Sequence, residues 1–168
     1  SFYRSFFIFA LMKYERLTQE QLKEMHKEFI NFLASQSITK EEWEDIKINK
    51  PQVAEDELDV FSDLVWEGVL NKVNYLEHFS PQQLFLFEFT DQFINLIGIK
   101  IENEAIDINT TQGFQWLRDN LLNDDVQIYT SSKSISDDRN KDIFALIKQG
   151  AHITKGKLYQ YFNEMVEK

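Results

Sequence analysis

Apolar residues recur along the first part of the chain at the spacing of an α-helix. Leu22, Met25, Phe29, Phe32 and Leu33 fall on one stripe, because residues three and four apart share a helix face. Thr18 stands ahead of that stripe with Gln21 three positions later. This is a capping box, in which each side chain bonds the other residue's backbone N–H. Thr39 and Glu42 repeat the signal before a short helix with Trp43 and Ile46 on its apolar side. Pro51 then opens a third helix, in the first turn where a missing N–H costs nothing. Behind it Ala54, Leu58, Phe61, Val65 and Gly68 follow a 4-3-4-3 spacing, which turns this stripe toward a core.

The period changes after Val73. "YLEHF", "QLFLFEF" and "FINLIGIKIE" are aromatic and aliphatic runs with two-residue alternation, the mark of strands. Thr90-Asp91-Gln92 supplies a hairpin turn, and "EAIDI" (104–108) adds a brief strand. Ser80-Pro81-Gln82-Gln83 also reads as a helix start, so residues 81–97 stand between helix and strand. The consecutive bulky side chains and period-two phenylalanines of "LFLFEF" favour strands. Thr110 or Thr111 opens a helix through Phe114, Trp116, Leu117, Leu121 and Leu122. "VQIYT" is a strand, followed by a polar loop at Ser131–Ser136. Ser136 starts a further helix that Gly150 ends, and Thr154 caps a last helix running nearly to Lys168. These elements predict an α+β fold: an N-terminal three-helix segment, a small, mostly antiparallel sheet of three to five strands, and C-terminal helices.

Only two prolines and five glycines occur in 168 residues, so no flexible linker is expected and residues 12–168 read as one domain. Residues 1–11 stand apart as a hydrophobic extension. The apolar run from Phe6 to Met12 is about a third of the length that spans a bilayer, and "MKYERLTQEQ" from Met12 reads as a natural start. No membrane partner is expected unless that extension is native. Cysteine is absent, which excludes a disulfide framework, a thiolate metal site and a cysteine nucleophile, and agrees with a reducing cytoplasm. The net charge of −10 is uneven. Residues 73–132 carry two basic against nine acidic side chains, whereas residues 133–168 carry seven against five. Most of the surface would therefore repel a phosphate backbone, and nucleic acid is not an expected partner.

Candidate chemistry is sparse. Glu55, Asp59, Asp63 and Glu67 recur every fourth residue and form one carboxylate stripe. Hard cations favour such oxygens, but the stripe lies opposite the apolar face and reads as a solvated surface. His26, His78 and His152 have no ligand spacing. Nucleotide-binding and hydrolase motifs are missing, so no cofactor and no catalytic residue is assigned. The order of helix, three strands, helix and strand is also used by restriction-type nucleases. Their lysine would be Lys100, but position 98, where their acid belongs, is Gly.

"ALIKQGAHITKGKLYQYF" (145–162) resembles the helix-turn-helix of the tetracycline-repressor family through Thr154, Gly156, Leu158, Tyr159, Tyr161 and Phe162. The resemblance implies phosphate contacts by Thr154, Lys155 and Tyr159, with Lys157 toward the major groove. The turn is one residue longer than that family's, and Asn163, Glu164 and Met165 replace its basic residues. Without DNA, the same letters describe a capped amphipathic helix. Over residues 12–168 the chain resembles a family of small Bacteroidota proteins of no assigned activity, on "NFLASQSIT", "ELDVFSDLVWEGVL", "LEHFSPQQLFLF" and "ITKGKLYQYF". The expectation is a cytoplasmic, non-catalytic protein-interaction module, an acidic body suited to a basic protein partner. Lys155, Lys157, Tyr159 and Tyr161 are its candidate contacts with a partner or anion. The alternatives are a DNA-associated regulator using helix 154–167, and a hydrolase or nuclease whose site is not visible in sequence.

Overall fold

The computed structural model describes residues 12–167, so the expectation of a separate extension over residues 1–11 lies outside the described residues. Contacts divide the chain into two compact units, one up to Val69 and one from Leu70 onward.

The first unit is helical. Thr18 and Gln21 form their capping box in both directions: Gln21 N–H donates to the Thr18 hydroxyl at 3.1 Å, and Thr18 N–H donates to the Gln21 side chain at 2.8 Å. The expected first helix is in fact two. α1 (Gln19–Glu24) ends at Met25, whose backbone leaves helical geometry (φ −100°, ψ 23°), and α2 (His26–Ser35) resumes the stripe. α3 spans Lys40–Asn49, with the Thr39 hydroxyl accepting from Glu42 N–H, and α4 spans Pro51–Leu70. Phe29, Leu33, Trp43, Ile46, Ala54 and Phe61 bury together. Phe29 meets Trp43 and Phe61 edge-on at 5.2 and 5.1 Å, the favoured geometry for ring quadrupoles. The α4 stripe fails at Gly68, which is exposed with open space where a side chain would stand.

The second unit is a five-stranded antiparallel sheet with helices. β1 (Tyr75–Ser80), β2 (Gln83–Phe89) and β3 (Phe93–Ile101) form a meander, so residues 83–89 and 93–101 are strands. The Thr90 hydroxyl closes the second hairpin by accepting from Phe93 N–H at 2.9 Å. β4 (Val126–Ser134) and β5 (His152–Thr154) take the two edges, giving the order β4-β3-β2-β1-β5. Leu84 and Leu86 face Ile99 and Ile97 across the ladder. With Ile101, this face packs on α5 (Thr111–Asp119) and α7 (Lys157–Val166) through Leu117, Tyr159 and Phe162. α6 (Arg139–Lys148) is tied in at its start, where the Arg139 guanidinium donates to the Leu70 and Val73 carbonyls. At its end Gly150, at φ +115°, lies against the His78 ring.

Four local expectations are corrected. "EAIDI" is a pair of turns, because the Asn103 and Asp107 side chains accept from Ala105 and Asn109 N–H at 3.0 and 2.9 Å and so compete with a ladder. α5 stops at Asp119, leaving Leu122 97% exposed. β4 absorbs most of the expected polar loop, since β3 offers a pairing partner to each residue as far as Ser134. Asp138, not Ser136, caps α6 through Lys141 N–H. The Ser136 hydroxyl instead donates to Asp142 at 2.9 Å.

Candidate functional site: a crevice between two helices

α7 starts later than its sequence suggests. Thr154 is not its cap but the last residue of β5, paired with Tyr75 of β1. Gly156 is the N-cap, at φ +81°, and the Thr154 hydroxyl accepts from its N–H at 3.1 Å. A Cβ on Gly156 would stand 2.4 Å from the Tyr75 ring, so both the positive φ and the close approach require glycine. This segment also removes the helix-turn-helix geometry. Residues 149–156 between α6 and α7 include a strand bonded to β1, whereas that motif needs a turn of three or four residues.

Of the four candidate contact residues, the structure brings two together. Lys157 and Tyr161 lie one turn apart on α7, both exposed, Tyr161 at 45%. Lys155 is exposed but lies in the β5–α7 connection, outside the helix. Tyr159 is 6% exposed and packs on Tyr75 with ring centroids 5.7 Å apart. Burial, then the nearby Glu88 carboxylate, pushes its phenol up to about 12. It is a core residue, unavailable to a partner.

Lys157 and Tyr161 line a crevice of about 210 Å³ with Leu158 and Phe162 of α7 and with Phe114 and Arg118 of α5. Phe162 is wholly buried, and Tyr161 stands edge-on to it at 5.1 Å. Helical spacing accounts for the α5 contribution, since Phe114 and Arg118 are four apart and share a face. Among the described residues the lining is an apolar floor between two cations, with no carboxylate in it. Such a site can hold an apolar group beside an anionic one. Its described polar groups are the Arg118 guanidinium, the Lys157 ammonium and the Tyr161 hydroxyl. Arg118 is the residue sequence reasoning missed. The available signal is charge: residues 73–132 hold only Lys100 and Arg118 as cations, and Lys100 pairs with Glu102 at 3.2 Å.

The carboxylate stripe of α4 stays partly in solvent, as its position suggests, with Glu55 57% exposed, but its acids are also engaged by residues 13–17. Asp63 accepts from the backbone N–H groups of Lys13 and Tyr14 at 2.8 and 2.9 Å. Arg16 pairs with Glu55 at 2.8 Å and with Asp59. Glu67 receives the Lys13 ammonium at 3.4 Å and the Tyr14 hydroxyl. Burial, then that bond to Glu67, raises the Tyr14 phenol to about 12. Beneath them the buried Ser62 hydroxyl accepts from Leu17 N–H at 3.0 Å. Residues 13–17 are thus laid along α4 by its own acids.

The remaining candidates stay apart. Register places His78 and His152 on opposite faces of the sheet, because His152 pairs with Glu77, the residue before His78. Burial raises the Glu77 carboxyl, while a bond from Thr154 works against that rise. Gly98 has the Tyr129 ring directly over it, so the nuclease-like position beside Lys100 is closed. Among the described residues, no group of three or more histidine and acidic side chains is placed to share a metal ion. Nor is any described helix long and apolar enough to cross a membrane.

The chain belongs to a family of unknown function, DUF6495, which matches residues 12–167. No curated protein and no solved structure matches it.

Proposed function

We propose that this member of the DUF6495 family is a non-catalytic cytoplasmic protein-interaction module, and that its contact surface is the α5–α7 crevice. The observation that carries this is an apolar floor flanked by Arg118 and Lys157 on a protein of net charge −10. The partner is an acidic protein segment that inserts one apolar side chain and places carboxylates beside the two cations. A basic partner would suit the overall charge. However, the most continuous acidic face, the α4 stripe, is already engaged by Lys13 and Arg16. Both catalysis and DNA reading are less favoured, since the histidines diverge and the expected recognition helix buries Tyr159.

The test is an NMR titration of the full chain with a short peptide carrying one phenylalanine between glutamates, against the same peptide with lysines. The expected shifts are confined to α5 and α7 amides, weaken with salt, and vanish when Arg118 and Lys157 are both changed to Glu. Equal binding of the lysine peptide, or shifts that survive the double reversal, would refute the assignment. A low-salt gel shift with random DNA covers the regulator alternative. Retardation abolished by Lys155→Glu and Lys157→Glu would favour DNA instead.

A further inference from the structure

We infer that two copies of this chain join edge to edge through β4, in an antiparallel pair centred on Tyr129. β4 is nine residues long, lies at the edge of the sheet, and pairs with β3 residue for residue without a bulge. Two flanking bonds fix which backbone groups face outward. Glu102 N–H donates to the Asp125 carbonyl at 2.7 Å, and Ile135 N–H donates to the Gln92 carbonyl at 2.9 Å. Odd-numbered β4 residues therefore bond inward to β3, leaving N–H and C=O of Ile128, Thr130 and Ser132 pointing out. A long edge of this kind is a template for another strand unless it is blunted by proline, bulges or several charges. β4 has no proline and a single charge, Lys133.

The charge pattern selects a second copy as the occupant. From Asp125 to Ser134 the only charged side chains are Asp125 and Lys133, and they stand four residues to either side of Tyr129. When Tyr129 faces its own copy, Lys133 falls opposite Asp125 of the other chain, twice by symmetry. The same register sets Ile128 opposite Thr130, and both have outward backbone groups, so the ladder closes. Neither Lys133 nor Asp125 makes an ion pair with another described residue. Tyr129 leaves the edge open because its ring lies back over Gly98, where a Cβ would stand 2.2 Å from it. Tyr129 to Ser134 are exposed, and no described strand pairs with the outer edge of β4.

Sedimentation equilibrium of the full chain tests the pairing. The expected result is a dimer whose dissociation constant rises about tenfold in Lys133→Glu, which sets like charges opposite each other. Adding Asp125→Lys to that variant should restore it. Thr130→Pro removes an outward donor and no inward bond, so it should give a folded monomer, with circular dichroism checking the fold. Register is read independently in this cysteine-free chain. Tyr129→Cys should oxidise to a covalent dimer, since non-hydrogen-bonded partners lie within disulfide reach, and Gln127→Cys should not. A monomeric wild type, a dimer untouched by Thr130→Pro and Lys133→Glu, or faster crosslinking through position 127 would overturn the inference.

Discussion

Helix propensity and the structure predict opposite signs for one substitution, Gly113→Ala. Alanine in place of glycine within a helix stabilises by about 1 kcal/mol on propensity alone. At Gly113, however, an added Cβ would stand 1.8 Å from the Asp107 carbonyl oxygen and 2.4 Å from its carbon. That carbonyl cannot move freely. It accepts from Thr110 N–H at 3.1 Å and from the Thr110 hydroxyl at 2.6 Å, and the same hydroxyl accepts from Gly113 N–H at 2.9 Å. Relieving the overlap means displacing the cap of α5, with an overpacking cost of about 1–3 kcal/mol that outweighs the propensity gain. Gly68→Ala is the control, because that helical glycine is exposed with nothing within 4 Å. It should stabilise by about 0.5 kcal/mol, being in the last turn. The two glycines lie in different compact units. Denaturant melts followed by circular dichroism and tryptophan emission should therefore report them separately, Trp43 and Trp66 for the first and Trp116 for the second. The Gly113 variant should also lose about 4–8 °C in the melting temperature of the second unit per kcal/mol. A Gly113→Ala protein as stable as the wild type, or more so, would refute the reasoning.

Asp63→Ala removes the acceptor for two backbone N–H groups and should cost about 1–2 kcal/mol, once partial exposure is discounted. Urea denaturation measures it, and an unchanged midpoint would mean residues 13–17 contribute nothing to the first unit. Alkaline titration should unfold the protein early. Tyr14 and Tyr159 both titrate near 12 when folded against an ordinary 10.0. Their neutral forms are therefore favoured by folding, and the stability is complete below pH 10 and lost between about 10 and 12. Tyr14→Phe and Tyr159→Phe should each flatten that loss, read as melting temperature against pH.

The sequence alone fixed the local elements wherever one signal dominates. The Thr18–Gln21 capping box, the Thr90 hairpin and the Gly150 helix end each depend on a few adjacent residues, so their letters carried the geometry. The alternation of "QLFLFEF" and "FINLIGIKI" likewise identified two strands and, with the helices around them, the α+β class. What it could not carry is which element meets which. "ITKGKLYQYF" contains both the β5 edge strand and the start of α7. Which residues turn inward there is decided by Tyr75, some 80 residues earlier, through the Thr154 pairing and the space only glycine leaves at 156. The crevice depends in the same way on α5, which brings Arg118 to face Lys157 and Tyr161. The acidic stripe of α4 reads only as solvated because periodicity describes one helix at a time. Only the fold returns residues 13–17 to lie along it. Short-range hydrogen-bond geometry was legible in the sequence, and long-range contact was decided by tertiary structure, because no local pattern records its partner.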